Sequence, residues 1–221
     1  IRICLVGSEM CIRDSLRSGQ IFEGQFRPIS SGADGQPITL TSYMDGPKPV
    51  IAGHGLTRSA VFLENLSHWV IDGIEITNTG KSREAKRVGV LVFAKNIGLV
   101  EDITLRNLLV RDVNGVISKS EGGGTGIRWE VDTRKVATKI DNLLIENCHV
   151  LRCDRDAIKG WMDPWDDLSH LSTNVVIRGN LLEDIGGDGI VPIGTESAVI
   201  EYNRVYCCLL YTSDAADEVV G

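Results

Sequence analysis

Two aspartates, Asp156 and Asp188, each stand two residues before an isoleucine, Ile158 and Ile190, in segments of similar make-up, AIKGW and GIVPI. Equal offsets predict equal positions on successive turns of a repeating chain, one strand spacing of about 4.8 Å apart. Two carboxyls that close cannot both ionise freely, so one pKa rises and the pair divides into a proton donor and an ionised partner. Glycosidic hydrolysis needs such a pair, about 5–5.5 Å apart for retention or about 6.5–9.5 Å for inversion. Stacking favours the shorter distance. The competing uses of these aspartates are a calcium site or solvated turn residues, since Asp before Gly is ordinary turn chemistry.

Arg128 and Lys159 follow equivalent inward positions, Ile127 and Ile158, and so are expected to point outward on neighbouring turns. A lysine base beside a cation suits a second reaction, abstraction of the proton next to a uronic carboxylate in a polysaccharide lyase. Glu130 and Trp161 lie further along the same two segments. Trp161 opens the loop WMDPWDD, in which Trp165 and Asp163 could stack a sugar ring and bind its hydroxyls. The expected catalytic set is therefore Asp156, Asp188, Lys159 and Arg128, and the expected substrate-binding set is Glu130, Trp161, Trp165 and Asp163. No metal ligands are assigned. No cofactor is required for the hydrolysis, and Ca²⁺ is the one ion the chemistry would admit. The four histidines share no spacing, Gly122–Gly124 lacks the continuation of a phosphate loop, and no G-x-S-x-G is present.

The elements that must position these residues are strands. Short Val/Ile/Leu runs recur between Gly, Asn and Asp, and no long 3.6-residue stripe appears. Five segments superpose: WVIDGIEIT (69–77), ITLRNLLVR (103–111), LLIENCHVL (143–151), VVIRGNLLE (175–183) and AVIEYNRVY (198–206). Ile71, Leu105, Ile145, Ile177 and Ile200 share one position, and Ile76, Val110, Val150, Leu182 and Val205 share another. The anchors lie 34, 40, 32 and 23 residues apart. A second series, GVLVF, GIRWE, AIKGW and GIVPI, alternates with them. Repeats of this length with several strands each mark a solenoid, in which stacking supplies the core. A leucine-rich repeat would show L-x-x-L-x-L and a helical limb, and both are absent. An all-β, parallel β-helix is left, with longer gaps taken up by loops such as Lys81–Arg87 and Met162–Ser172. Asn180 and Asn203 coincide, predicting an asparagine ladder between rungs. Asn107 and Asn147 coincide one place earlier and offer a second.

The rungs from Gly19 to Gly55 and the segment NLLEDIGGDGIVPIG, Asn180 to Gly194, resemble the right-handed parallel β-helix superfamily of pectate-lyase-like and other glycan-cleaving enzymes. The resemblance spans residues 16–206. It implies the architecture and a polysaccharide substrate, with hydrolysis by paired Asp preferred. A lyase, or a non-catalytic glycan-binding or adhesin solenoid, is the alternative, because one fold carries several functions. It also implies a bacterial protein that is secreted or periplasmic and works as a monomer.

Composition sets the outer limits. Residues 5–15 (LVGSEMCIRDS) and 208–218 (CLLYTSDAADE) read as in-frame translations of the two arms of a sequencing adapter. Segments 1–15 and 207–221 are accordingly set aside as scars, leaving 16–206 as one β-helix fragment. Of 23 basic and 30 acidic residues, 21 and 25 remain. A net charge of −4 with scattered Lys and Arg leaves no footprint for nucleic acid. No apolar run approaches the roughly 18 residues of a membrane span. Only Cys148 and Cys153 remain of six cysteines, and their odd spacing predicts opposite faces of an extended chain.

Overall fold

The computed structural model describes residues 13–118, 122–166 and 168–206. Strands dominate, with one 3-10 turn at Leu168–His170. They form three parallel sheets of seven, seven and five strands. The first sheet stacks Arg13–Arg17, Ile38–Tyr43, Trp69–Asp72, Leu99–Arg106, Lys139–Glu146, Val176–Arg178 and Val199–Glu201. The second stacks Ile21–Glu23, Val50–Ala52, Glu75–Asn78, Leu109–Val113, His149–Cys153, Leu181–Ile185 and Arg204–Tyr206. The third stacks Ser59–Glu64, Val88–Lys95, Thr125–Asp132, Ile158–Asp163 and Ile190–Pro192. The chain visits the three sheets in turn, which makes a right-handed parallel β-helix, the hand that parallel crossovers almost always take.

The anchors pair as the repeat predicts. Ile71 faces Leu105, Leu105 faces Ile145, Ile145 faces Ile177, and Ile177 faces Ile200. The first four are fully buried, whereas Ile200 is 44% exposed on the last described rung. Each nine-residue segment is two strands rather than one. The two anchors are five residues apart, an odd number, so alternation alone would bury one and expose the other. A left-handed residue between them turns the chain: Gly73, Asn107, Asn147, Gly179 and Tyr202 occupy that place, each with φ between 52° and 73°. Asn107 and Asn147 therefore serve the turn, not a second ladder. Gly179 is needed there twice over, because a Cβ would also lie 2.7 Å from Asn147 Oδ1.

The same turn corrects the cysteine expectation. Cys148 and Cys153 are both buried in the core with free thiols. Burial pushes the Cys148 thiol up to about 12, so it is inert at neutral pH. The first ladder forms as expected. Asn180 Nδ2 donates to Asn203 Oδ1 at 2.9 Å, and Asn180 Oδ1 accepts from the Cys148 backbone at 2.9 Å.

One boundary moves. Arg13, Asp14 and Ser15 pair in parallel with Thr39, Leu40 and Thr41, so the first strand begins inside the segment set aside as a scar. Residues 1–12 and 207–221 lie outside the described residues. No helix among the described residues is long and apolar enough to cross a membrane.

Candidate active site

The outer face of the third sheet carries a groove of about 420 Å³. Its floor is the strands Val88–Lys95, Thr125–Asp132 and Ile158–Asp163, of eight, eight and six residues. Alternation sends Ile127, Trp129 and Val131 into the core and leaves Arg128, Glu130 and Asp132 outside. On the next rung Ile158 and Met162 go in, and Lys159, Trp161 and Asp163 go out. Gly160, between them, has no room for a side chain: a Cβ would meet the Trp129 ring at 2.3 Å. The register sets Arg128 beside Lys159, Glu130 beside Trp161, and Asp132 beside Asp163. Arg58, Lys86, Phe93 and Arg134 complete the polar and aromatic lining.

Of the residues expected from the sequence, Arg128, Glu130, Lys159, Trp161 and Asp163 meet in this groove. Trp165 is 68% exposed and stands outside it. Asp156 and Asp188 also lie off it. Asp156 is wholly buried, where its Oδ2 accepts from Lys159 Nζ at 3.0 Å and from Thr125 Oγ1 at 3.3 Å. Asp188 is bound instead by Arg155, Nη2 to Oδ2 at 3.0 Å. Arg155 also lies 4.0 Å from Asp156 Oδ1, so a cation stands between the two carboxylates that were expected to repel. The expectation of an open Asp156–Asp188 pair fails at Asp156, which stands two places before inward Ile158 and so points inward too, whereas the Asp188 side chain stays 46% exposed against Arg155.

The carboxylates that do open on the groove differ in their partners. Glu130 Oε1 accepts from two guanidinium groups, Arg128 Nη2 at 2.6 Å and Arg58 Nη2. Asp132 is held by Arg134 at 2.7 Å, and that bond keeps its carboxyl below the usual carboxylate range. Asp163 is only half-buried, and its Oδ2 lies 3.3 Å from the same Arg134 guanidinium. Burial lowers the pKa of Arg128 even against the pull of Glu130, and its Nε has no partner. Sequence reasoning missed Arg58, Lys86, Phe93, Asp132 and Arg134. Asp132 was within reach, because it stands two places beyond Glu130 as Asp163 stands two places beyond Trp161.

The fold is a parallel β-helix, with charged and aromatic groups gathered on the outer face of one sheet. Comparison with known proteins sharpens this. The chain is 25% identical, over 267 aligned residues, to the lacto-N-biosidase of Bifidobacterium longum subsp. longum, an alignment covering 85% of this chain and 17% of that protein. The native crystal structure of a GH136 lacto-N-biosidase from Eubacterium ramulus matches with a TM-score of 0.78 at 25% identity, over 91% of this chain and 41% of that one. Its selenomethionine derivative matches at 0.71 with 26% identity, over 83% and 38%. The chain thus spans a minor part of each relative. No family model matches it.

Proposed function

We propose that this chain is the groove-bearing part of a glycoside hydrolase, and that it cleaves a glycan of the kind its lacto-N-biosidase relatives are named for. Among the groove carboxylates, the reading assigns the chemistry to Asp132 and Asp163. The observation that carries it is their placement: register partners on adjacent strands, both open to the groove, sharing one guanidinium. A strand spacing of about 4.8 Å suits the shorter, retaining separation.

In that reading Asp163, the more exposed of the two, gives its proton to the glycosidic oxygen as the C1–O bond breaks. Asp132, kept ionised by Arg134, supplies its oxygen to C1 and holds the sugar as a glycosyl ester. Asp163, now a carboxylate, takes a proton from water, and the hydroxide formed displaces Asp132. Trp161 offers an apolar wall to the ring. Asp156 acts at one remove by fixing Lys159, and Asp188 steadies Arg155. Lys159 as a lyase base fits less well, because its amino group is already committed to buried Asp156 at 3.0 Å.

The test is turnover of a lacto-N-bioside by the purified protein. Asp132→Asn and Asp163→Asn should each lower kcat at least a thousandfold with the fold intact by circular dichroism. Asp188→Asn should cost less than tenfold. The reverse order of effects, or products that absorb as unsaturated uronides, overturns the assignment.

A further inference from the structure

The two ends of the groove carry opposite charge, and the second end is not used by the hydrolysis above. Arg58 and Arg128 stand against Glu130, and Lys86 lines the same groove. Both arginines spend themselves on a single oxygen of Glu130. Lys86 makes no ion pair among the described residues, and Lys159 is already neutralised by Asp156. Three cations against one carboxylate leave a surplus of two positive charges at this end of the groove, with Arg128 buried and Arg58 and Lys86 exposed at its rim.

Such a surplus is costly where it stands. Arg128 is 7% exposed, its Nε is unpartnered, and Arg58 is a like charge near enough to lower its pKa. A buried cation without full partners loses hydration that nothing in the free protein returns. An incoming oxyanion would return it, and guanidinium groups are the side chains best suited to bind carboxylate or sulfate oxygens in pairs.

We propose that the Arg58–Lys86–Arg128 end of the groove is a subsite for an anionic substituent, a carboxylate or sulfate ester, on the glycan whose bond is cleaved at the Asp132–Asp163 end. This rests on the hydrolase reading only for the identity of the ligand as a glycan. The neutral part of the sugar chain crosses Phe93 and Trp161, and the charged group docks beyond it.

The experiment is calorimetric titration of the whole chain with matched trisaccharides at low and high salt. The probes are oligogalacturonate, a sulfated galacto-oligosaccharide and the unsubstituted galacto-oligosaccharide. The acidic probes should bind at least tenfold more tightly than the neutral one, with an advantage that shrinks at higher salt. Lys86→Gln, at the exposed rim, should cut that advantage to about threefold or less. Arg128→Gln should abolish it, and Arg58→Gln serves in its place if Arg128→Gln fails to fold. Preference for oligogalacturonate alone assigns a uronate, preference for the sulfated probe alone assigns a sulfate ester, and both equally assign recognition of charge. Equal or tighter binding of the neutral probe overturns the proposal, as does a preference untouched by Lys86→Gln and Arg58→Gln. A chain that cleaves neutral glycans without acidic preference loses this subsite and keeps the hydrolase reading. One that binds acidic glycans and cleaves nothing loses the hydrolase reading and keeps the subsite.

Discussion

The outer faces of the first and third sheets are built from the same strands-in-register geometry, yet they treat charge in opposite ways. On the first sheet one column runs Asp72, Arg106, Glu146, Arg178, Glu201, each the register partner of the next. The sign alternates at every rung, with Arg106 at 2.9 Å from Asp72 and Arg178 at 2.9 Å from Glu146. On the third sheet the neighbours in register are Arg128 with Lys159 and Asp132 with Asp163, like beside like. These groups are also far more buried, at 7%, 8% and 4% exposure for Arg128, Lys159 and Asp132. Like charges directly opposite one another destabilise a sheet, and alternating ones support it. The first sheet spends its charge on stability. The third sets like charges side by side and neutralises them from off the register, Lys159 by Asp156 and both aspartates by Arg134, and this is the face that the proposed function uses.

That contrast can be broken from either side. Glu146→Lys would turn the middle of the alternating column into three successive cations. Two favourable pairs would become two repulsive ones, a loss of about 1–2 kcal/mol at the per-pair magnitudes known for sheets. Chemical denaturation measures it, and an unchanged midpoint would mean the column is ornamental. On the third sheet the effect should run the other way. Arg128→Met keeps much of the side-chain volume and removes an incompletely bonded buried cation, so stability should rise by about 1 kcal/mol while acidic-glycan binding is lost. Arg178→Met, in the alternating column, should give no such rise. A destabilised Arg128→Met would show that Glu130 needs both of its arginines.

The solenoid was legible because its signal is periodic and each rung repeats the evidence. The inward anchors lie in the core in all three sheets except at the last described rungs, where Ile200 and Val205 are exposed and Ile190 is partly buried, and the Asn180–Asn203 ladder followed from the same superposition. The sequence pattern is misleading where alternation is interrupted. The left-handed turn at Asn107 and Asn147 resets the phase, and nothing in the residue types separates a turn asparagine from a ladder asparagine. In the third sheet the outcome depends on the offset from the anchor. Arg128 and Lys159 were read one residue from their inward anchors and came out correctly in the groove. Asp156, two residues from its anchor, was given the wrong side, whereas Asp188 is partly exposed but tied to Arg155 outside the groove. Arg58, Lys86 and Arg134 arrive from loops between rungs, whose course the repeat does not encode.

The smallest expected effect concerns acid. Arg134 holds the Asp132 carboxyl below its usual range, so the folded state binds that proton less readily than the unfolded chain does. A depressed carboxylate contributes stability that is fully present above the unfolded pKa, near 4, and is lost as pH falls through the folded value. Melting temperature followed from pH 6 to pH 2 should therefore drop less steeply for Asp132→Asn than for the parent, with the two curves converging below pH 4. The side chain of Arg134 is 59% exposed, so solvent screens the pair and the difference is modest. Salt supplies the control. Raising ionic strength should shrink the difference at Asp132, because the cation that causes it stands in water. Curves that stay parallel throughout would show that Asp132 titrates alike in the folded and unfolded chains, and would remove the reason for giving it the nucleophile's role.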